Sequence, residues 1–166
     1  MRRTLAACAV VALLAAACST TPTSSNPAAG PAAIRSWAQS NGLGASLATI
    51  RNDLAKVAVQ LNAPSATVNG DHTICAAMLL DADQSNANLP SPDATLSSLL
   101  AKAYSVVGSA ANECYAVAVD HSKLARFTTL SESARSYLAE AEARAVELIG
   151  PGSLPTGTTA PVDSGV

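Results

Sequence analysis

The sequence predicts an all-α fold: an up-down four-helix bundle with a disordered N-terminal tether and a disordered C-terminal tail. Three observations predict this fold. Apolar residues recur at alternating steps of three and four, no segment alternates with period two for long, and the helical segments are joined by short connections. Alanine supplies 36 of the 166 residues and aromatic side chains only 3%, so we expect a core of Ala, Leu and Val.

The first predicted helix spans residues 32–61. Two glycines within residues 41–44 predict a break near residue 42, because glycine weakens a helix interior. After the break, apolar residues at two positions per heptad predict one buried face. That face comprises Leu47, Ile50, Leu54, Val57 and Leu61.

The second and third predicted helices span residues 71–86 and 92–121. Asp71 is a candidate N-cap for the second, and Ser91 followed by Pro92 is a strong start signal for the third. Their predicted buried faces include Ile74, Cys75, Met78, Leu79 and Ala82, and then Leu96, Leu100, Ala103, Val107, Ala110, Cys114, Val117 and His121.

The fourth predicted helix spans residues 129–149. Thr129 and Glu132 have the spacing of a capping box, and Gly150 with Pro151 marks the end of the helix. Residues 150–166 are rich in Gly, Pro, Ser and Thr and are predicted to be a disordered tail. The helical bundle domain is therefore predicted over residues 32–149.

The N-terminal 17 residues have the pattern of a secretion signal. Arg2 and Arg3 precede 14 uncharged, mostly apolar residues, a stretch shorter than the roughly 20 residues that cross a bilayer. The stretch ends in Leu14-Ala15-Ala16-Ala17 directly before Cys18. Small residues before a cysteine at this place resemble the lipobox of bacterial lipoproteins.

The resemblance implies that residues 1–17 are a lipoprotein signal peptide and that Cys18 is the lipidated first residue of the mature chain. Two or three acyl chains on one residue anchor a protein stably, which one chain does not. The protein is then expected to be exported and lipid-anchored to the outer face of the cytoplasmic membrane or in the cell envelope. The alanine-rich composition also resembles that of actinobacterial envelope lipoproteins.

Residues 18–31, rich in Ser, Thr and Pro, are predicted to be a flexible tether between the anchor and the bundle. Loss of Arg2 and Arg3 leaves eight basic and twelve acidic residues, a net charge of −4. An anionic membrane does not attract such a domain, so the lipid has to supply the attachment. The charge also argues against nucleic acid as a partner.

Cys75 and Cys114 are the two cysteines left once Cys18 is lipidated and Cys8 is removed with the signal. An even pair outside the cytoplasm usually forms a disulfide, and both residues lie on predicted inward faces of neighbouring helices. The sequence therefore predicts a Cys75–Cys114 disulfide. A zinc site that includes His72 and His121 is a weaker alternative.

The sequence carries no catalytic motif, so we expect a non-enzymatic binding or interaction module without a cofactor, whose partner is an envelope protein. One alternative is a carrier that holds lipid or haem between its helices, in a cavity lined by Leu54, Met78, Tyr104 and Val107. A second alternative is an envelope hydrolase. Trp37, the only tryptophan, is expected either to pack on the bundle or to contact the membrane or a partner.

Overall fold

The computed structural model describes residues 30–154, and this part of the chain consists of helices joined by short connections. It confirms the predicted all-α bundle. The signal segment, Cys18, the tether up to residue 29 and the tail from residue 155 lie outside the described residues. In chain order the elements are α1 (Pro31–Ser40), α2 (Leu43–Leu61), α3 (Val68–Asn86), α4 (Ala94–Val119), a 3-10 turn (His121–Lys123) and α5 (Leu124–Ile149).

Helices α2 to α5 form the bundle, and neighbouring helices run antiparallel. The start of α2 meets the end of α3, where Ser85 Oγ lies 3.1 Å from Ser46 Oγ. The start of α4 meets the end of α5, where Arg144 Nη2 lies 3.0 Å from Asp93 Oδ2. α5 also closes the bundle against α2, and Arg135 donates across this contact to the carbonyl oxygen of Leu54.

Helix α1 is separated from α2 at the predicted break. Gly42 has φ +58°, a left-handed conformation that a residue with a side chain rarely adopts. The turn allows α1 to lie across one end of the bundle, where Ile34 and Ala38 are buried. Arg35 there donates a hydrogen bond of 3.1 Å to the carbonyl oxygen of Ile149 at the end of α5. α1 thus covers the core at this end.

The core follows the predicted faces closely. The whole predicted face of α2 is buried, and so are the predicted inward residues of α4, except His121, which is exposed in the 3-10 turn. Ile74 and Leu79 on α3 are only half-buried. Each buried Leu or Val stabilises the fold by about 1.5–3 kcal/mol relative to an exposed one. Burial of these helix faces therefore supplies most of the driving force for folding.

Two predicted N-caps are wrong: the N-cap of α3 is Thr67 and not Asp71, and that of α4 is Asp93 and not Ser91. α3 begins three residues before Asp71, because the Thr67 hydroxyl accepts a hydrogen bond of 3.2 Å from the Gly70 amide. α4 is capped by Asp93 rather than Ser91, and Asp93 Oδ1 accepts from the Leu96 amide at 2.7 Å. Ser91 instead forms a buried hydrogen-bonded pair with Ser97.

The predicted start of the last helix and start of the tail both need correction. α5 begins at Leu124, and Thr129 lies inside the helix with its hydroxyl donating to the Ala125 carbonyl at 3.1 Å. At the other end, Gly150–Leu154 forms a turn in which Ser153 Oγ donates to the Ile149 carbonyl at 2.8 Å. Leu154 is 7% exposed and belongs to the core. The domain therefore extends to at least residue 154.

Candidate functional site

The structure joins Cys75 and Cys114 in a disulfide, as the sequence predicts. Their Cα atoms are 5.8 Å apart, and both residues are fully buried between α3 and α4. The rings of His72 and Tyr115 lie one turn or less from the two cysteines and contact each other with centroids 5.2 Å apart. The disulfide therefore ties the first half of α3 to the last third of α4.

The residues predicted to line a ligand cavity all lie in the core. Leu54, Met78 and Val107 are 0% exposed, and none of them lines a pocket described below. Tyr104 is 4% exposed, and burial raises its pKa to about 12. Trp37 is half-buried against the core and lines a narrow crevice with Leu89 and Tyr104.

The two histidines of the zinc alternative have different surroundings. The His72 ring contacts the Tyr115 ring at an angle of 59°, whereas His121 begins the exposed 3-10 turn. Among residues 30–154, no three His, Cys, Asp or Glu side chains are grouped so that they could hold a metal ion. Cys18, the predicted lipidation site, lies outside the described residues.

A polar groove runs between α2 and α3, with a volume of about 330 Å³. Its lining includes Ser46, Thr49, Asp81 and Ser85. Burial raises the pKa of Asp53, one turn beyond Thr49 on α2, to about 6, and the hydrogen bond and negative charge of Asp81 contribute. Asp53 Oδ2 is buried without a hydrogen-bond partner among the described residues. The Asp53 carboxyl group therefore keeps a proton to higher pH than an isolated aspartic acid does.

A second pocket, of about 430 Å³, lies at the end of the bundle opposite α1. Its walls come from the end of α2, the α2–α3 connection, the first turn of α3, the last turn of α4 and His121. Asp71, which is 5% exposed, lines it. Gln60 Nε2 donates to Asp71 Oδ1 at 3.3 Å. We call this pocket the open-end pocket.

The two ends of the bundle differ in their surfaces. We call the end formed by α1, residues 87–93 and Gly150–Leu154 the closed end, and the end formed by residues 62–67, the last turn of α4 and the 3-10 turn the open end. Three of the four large exposed apolar side chains of residues 30–154 lie near the open end: Val59 is 73%, Val68 48% and Val119 77% exposed, whereas the fourth, Leu80, is 55% exposed further along α3. Val68 and Val119 line the open-end pocket.

Comparison with known proteins supplies no relative for this chain: neither a protein-family model, a curated protein nor a solved structure matches it. Within residues 30–154, no helix combines the length and the apolar character needed to cross a membrane. The candidate sites therefore depend on the geometry described above.

The sequence analysis did not identify Asp53 and Asp81 as site residues, and it gave Asp71 a different role. Asp53 and Asp81 are 28 positions apart, and no local motif marks them as a pair. Asp71 was assigned to a helix cap, whereas its carboxylate faces a pocket built from three separate segments. The one available signal is that Asp53 and Asp81 both directly precede buried positions, Leu54 and Ala82, in the apolar seams.

Proposed function

We propose that this protein is an exported lipoprotein, anchored through Cys18 to the outer face of the cytoplasmic membrane or in the cell envelope. Its helical bundle acts as a non-enzymatic module that binds an envelope protein through the open end. The signal pattern and the cysteine at position 18 support the anchor. The arrangement of the bundle supports the binding end.

The path of the chain favours this orientation. Gly30 precedes α1, and Leu154 is buried beside the end of α5, so both boundaries of the described domain lie at the closed end. α4 and α5 each have 26 residues, about 39 Å of helix, which separates the open end from the closed end. A tether attached at Gly30 therefore leaves the open end free to face away from the membrane.

The exposure of Val59, Val68 and Val119 carries the proposal of a binding end. Single exposed apolar residues are common, but exposed valines at the same end as a pocket, two of which (Val68 and Val119) line it, are typical of a contact surface. The ligand-carrier alternative has less support, because Leu54, Met78 and Val107 are fully buried core side chains.

The anchor is tested by Cys18→Ala, with Cys8→Ala as the matched control. We expect Cys18→Ala to lose incorporation of labelled fatty acid and to leave the membrane fraction, while Cys8→Ala keeps both. A wild-type protein that takes up no fatty acid label contradicts the anchor.

The binding end is tested by site-specific photo-crosslinking in intact cells. A photoreactive residue at position 119 is compared with one at position 94, an exposed alanine at the other end of the same helix. We expect a discrete crosslinked product of one envelope protein from position 119 and none from position 94. Equal yields from both positions contradict a binding role for the open end.

A further inference from the structure

The carboxylate of Asp71 is buried without a cationic partner. Its exposed fraction is 5%, and none of the four ion pairs within residues 30–154 includes it. Gln60 donates to Oδ1 at 3.3 Å, and Oδ2 is not among the fully buried oxygens that lack a partner in the described part of the chain. A position in the first turn of α3 offsets only a small part of the cost of burying a carboxylate. A cation in the pocket would add the charge partner that the described residues do not supply.

Two helix C-termini add negative potential to the same pocket. α2 ends at Leu61 and α4 ends at Val119, and neither helix has a basic residue in its last turn. The Asp120 amide donates to the Ala116 carbonyl at 2.8 Å and ends the hydrogen-bond ladder of α4. Residues 117–119, which line the pocket, consequently lie at the negative end of the helix dipole of α4. His121 is the one basic side chain that lines it.

Aliphatic side chains form part of the pocket wall, although most of its surface is polar and Asn62 also lines it. Leu61, Val68, Val117 and Val119 supply the aliphatic part. They can contact the stem of a side chain that carries its charge at the tip, because methylene groups gain about 0.8 kcal/mol each on leaving water. The volume of about 430 Å³ is within the range of small-ligand sites.

We propose that the open-end pocket binds a lysine side chain presented by the partner protein. This inference rests on the proposed function, since it names the chemistry of the partner at the same end. Asp71 offers one free carboxylate oxygen, which suits the point charge of an ammonium group; a guanidinium fork needs both oxygens. A peptide is the favoured source, because Val68 and Val119 line the pocket with exposed side chains that a small free amine would leave uncovered.

The test titrates four probes into the natively purified full chain in detergent and records amide shifts by NMR. The probes are Nα-acetyl-lysine N-methylamide, the corresponding norleucine and arginine compounds, and n-butylamine. We expect the lysyl probe to shift the amides of Ala66, Asp71 and Val119 saturably, with a millimolar dissociation constant or tighter. The norleucine and arginine compounds are expected to bind at least about tenfold more weakly.

Three variants complete the test. Asp71→Asn is expected to weaken the lysyl probe at least about tenfold, while Asp83→Asn, an equal charge change at an exposed position of α3, leaves binding unchanged. Ala66→Phe fills the pocket from the α2–α3 connection and is expected to abolish binding even if Asp71→Asn loses stability. Circular dichroism checks that each variant is folded.

Several results would overturn the assignment. These are norleucine binding as tight as lysine binding, unchanged affinity in folded Asp71→Asn, and binding of n-butylamine without binding of the lysyl probe. If the lysyl probe does not bind but position 119 still crosslinks to one envelope protein, the lysine pocket is contradicted and the binding end is not. If the lysyl probe binds but the crosslink is absent, the partner protein is contradicted and the pocket is not. The two proposals are therefore separable.

Discussion

The closed and open ends of the bundle are held together by different means. At the closed end, side chains satisfy the helix termini: Asp93 caps α4 and pairs with Arg144, while Arg35 and Ser153 both donate to the Ile149 carbonyl. At the open end, Thr67 caps α3, Asn62 donates to the Ala58 carbonyl, and the nearby disulfide joins α3 to α4. Side chains therefore cap helices at both ends, but the bond that joins neighbouring helices is an ion pair at the closed end and a disulfide near the open end.

The largest expected effect comes from removing the disulfide with Cys75→Ala and Cys114→Ala together. The bond closes a loop with a sequence separation of 39, for which chain entropy predicts about 4 kcal/mol. We expect a loss of about 2–4 kcal/mol in urea unfolding monitored by circular dichroism. Hydrogen exchange should rise more in the first half of α3 than in the first half of α4. Equal increases at both ends would contradict the division of roles.

The next effect comes from Asp93→Ala at the closed end. Loss of the cap costs about 1 kcal/mol, and loss of the contact with Arg144 adds to it. The Arg144 hydrogen bond holds the pKa of Asp93 below its ordinary value. Its contribution is therefore present above the unfolded-state pKa and is lost as pH falls through the folded-state pKa.

Thermal unfolding at pH 7 and at pH 2.5 checks this prediction. The difference between Asp93→Ala and wild type should shrink at the lower pH. Asp120→Ala is the matched control, because Asp120 accepts from the Ser122 amide at the exposed open end. A larger loss of stability from Asp120→Ala than from Asp93→Ala would reverse the comparison.

The smallest effect, and the one expected to stabilise, comes from Asp53→Asn between the two ends. Because the folded-state pKa of Asp53 is raised from 3.8 to about 6, folding binds a proton between these pH values, and stability falls as pH rises through them. An asparagine amide can donate to Asp81 without carrying a charge. Asp53 is partly solvated, so after screening we expect a gain of about 1 kcal/mol above pH 6 and none near pH 4.

Thermal melts from pH 4 to pH 8 measure this gain, with exposed Asp83→Asn as the control. A parallel pH dependence in wild type and Asp53→Asn would contradict the raised pKa of Asp53. A gain confined to the range above pH 6 supports it.

The buried helix faces could be predicted because the spacing of apolar residues is a local pattern. The disulfide could be predicted because two cysteines fall on two such faces. Steps of three and four define one helix face, and Cys75 and Cys114 fall on two such faces. The start of α5 could not be predicted from Thr129, because burial of Phe127 favours a helix that begins earlier, at Leu124. The buried Leu154 in a segment rich in glycine and proline was missed for the same reason: tertiary packing overrides composition.

The open-end pocket was beyond sequence reasoning for a further reason. Asp71 is joined by residues near positions 61 and 117, and their meeting depends on the antiparallel pairing of α2, α3 and α4. Hydrophobic periodicity predicts which faces are buried, but it does not predict where helices of unequal length leave a gap at their ends. Only the three-dimensional arrangement places these groups together.

The Gly42 joint also determines how the domain would respond to mechanical tension. A force applied along the chain at Gly30 reaches α1 first, which is a separate helix of ten residues joined to the rest at Gly42. We expect α1 to dissociate from the bundle, with loss of the hydrogen bond from Arg35 to the Ile149 carbonyl, before helices α2 to α5 separate. Further extension would then be limited, since the crosslink between positions 75 and 114 withholds about 130 Å of contour length from a stretched chain.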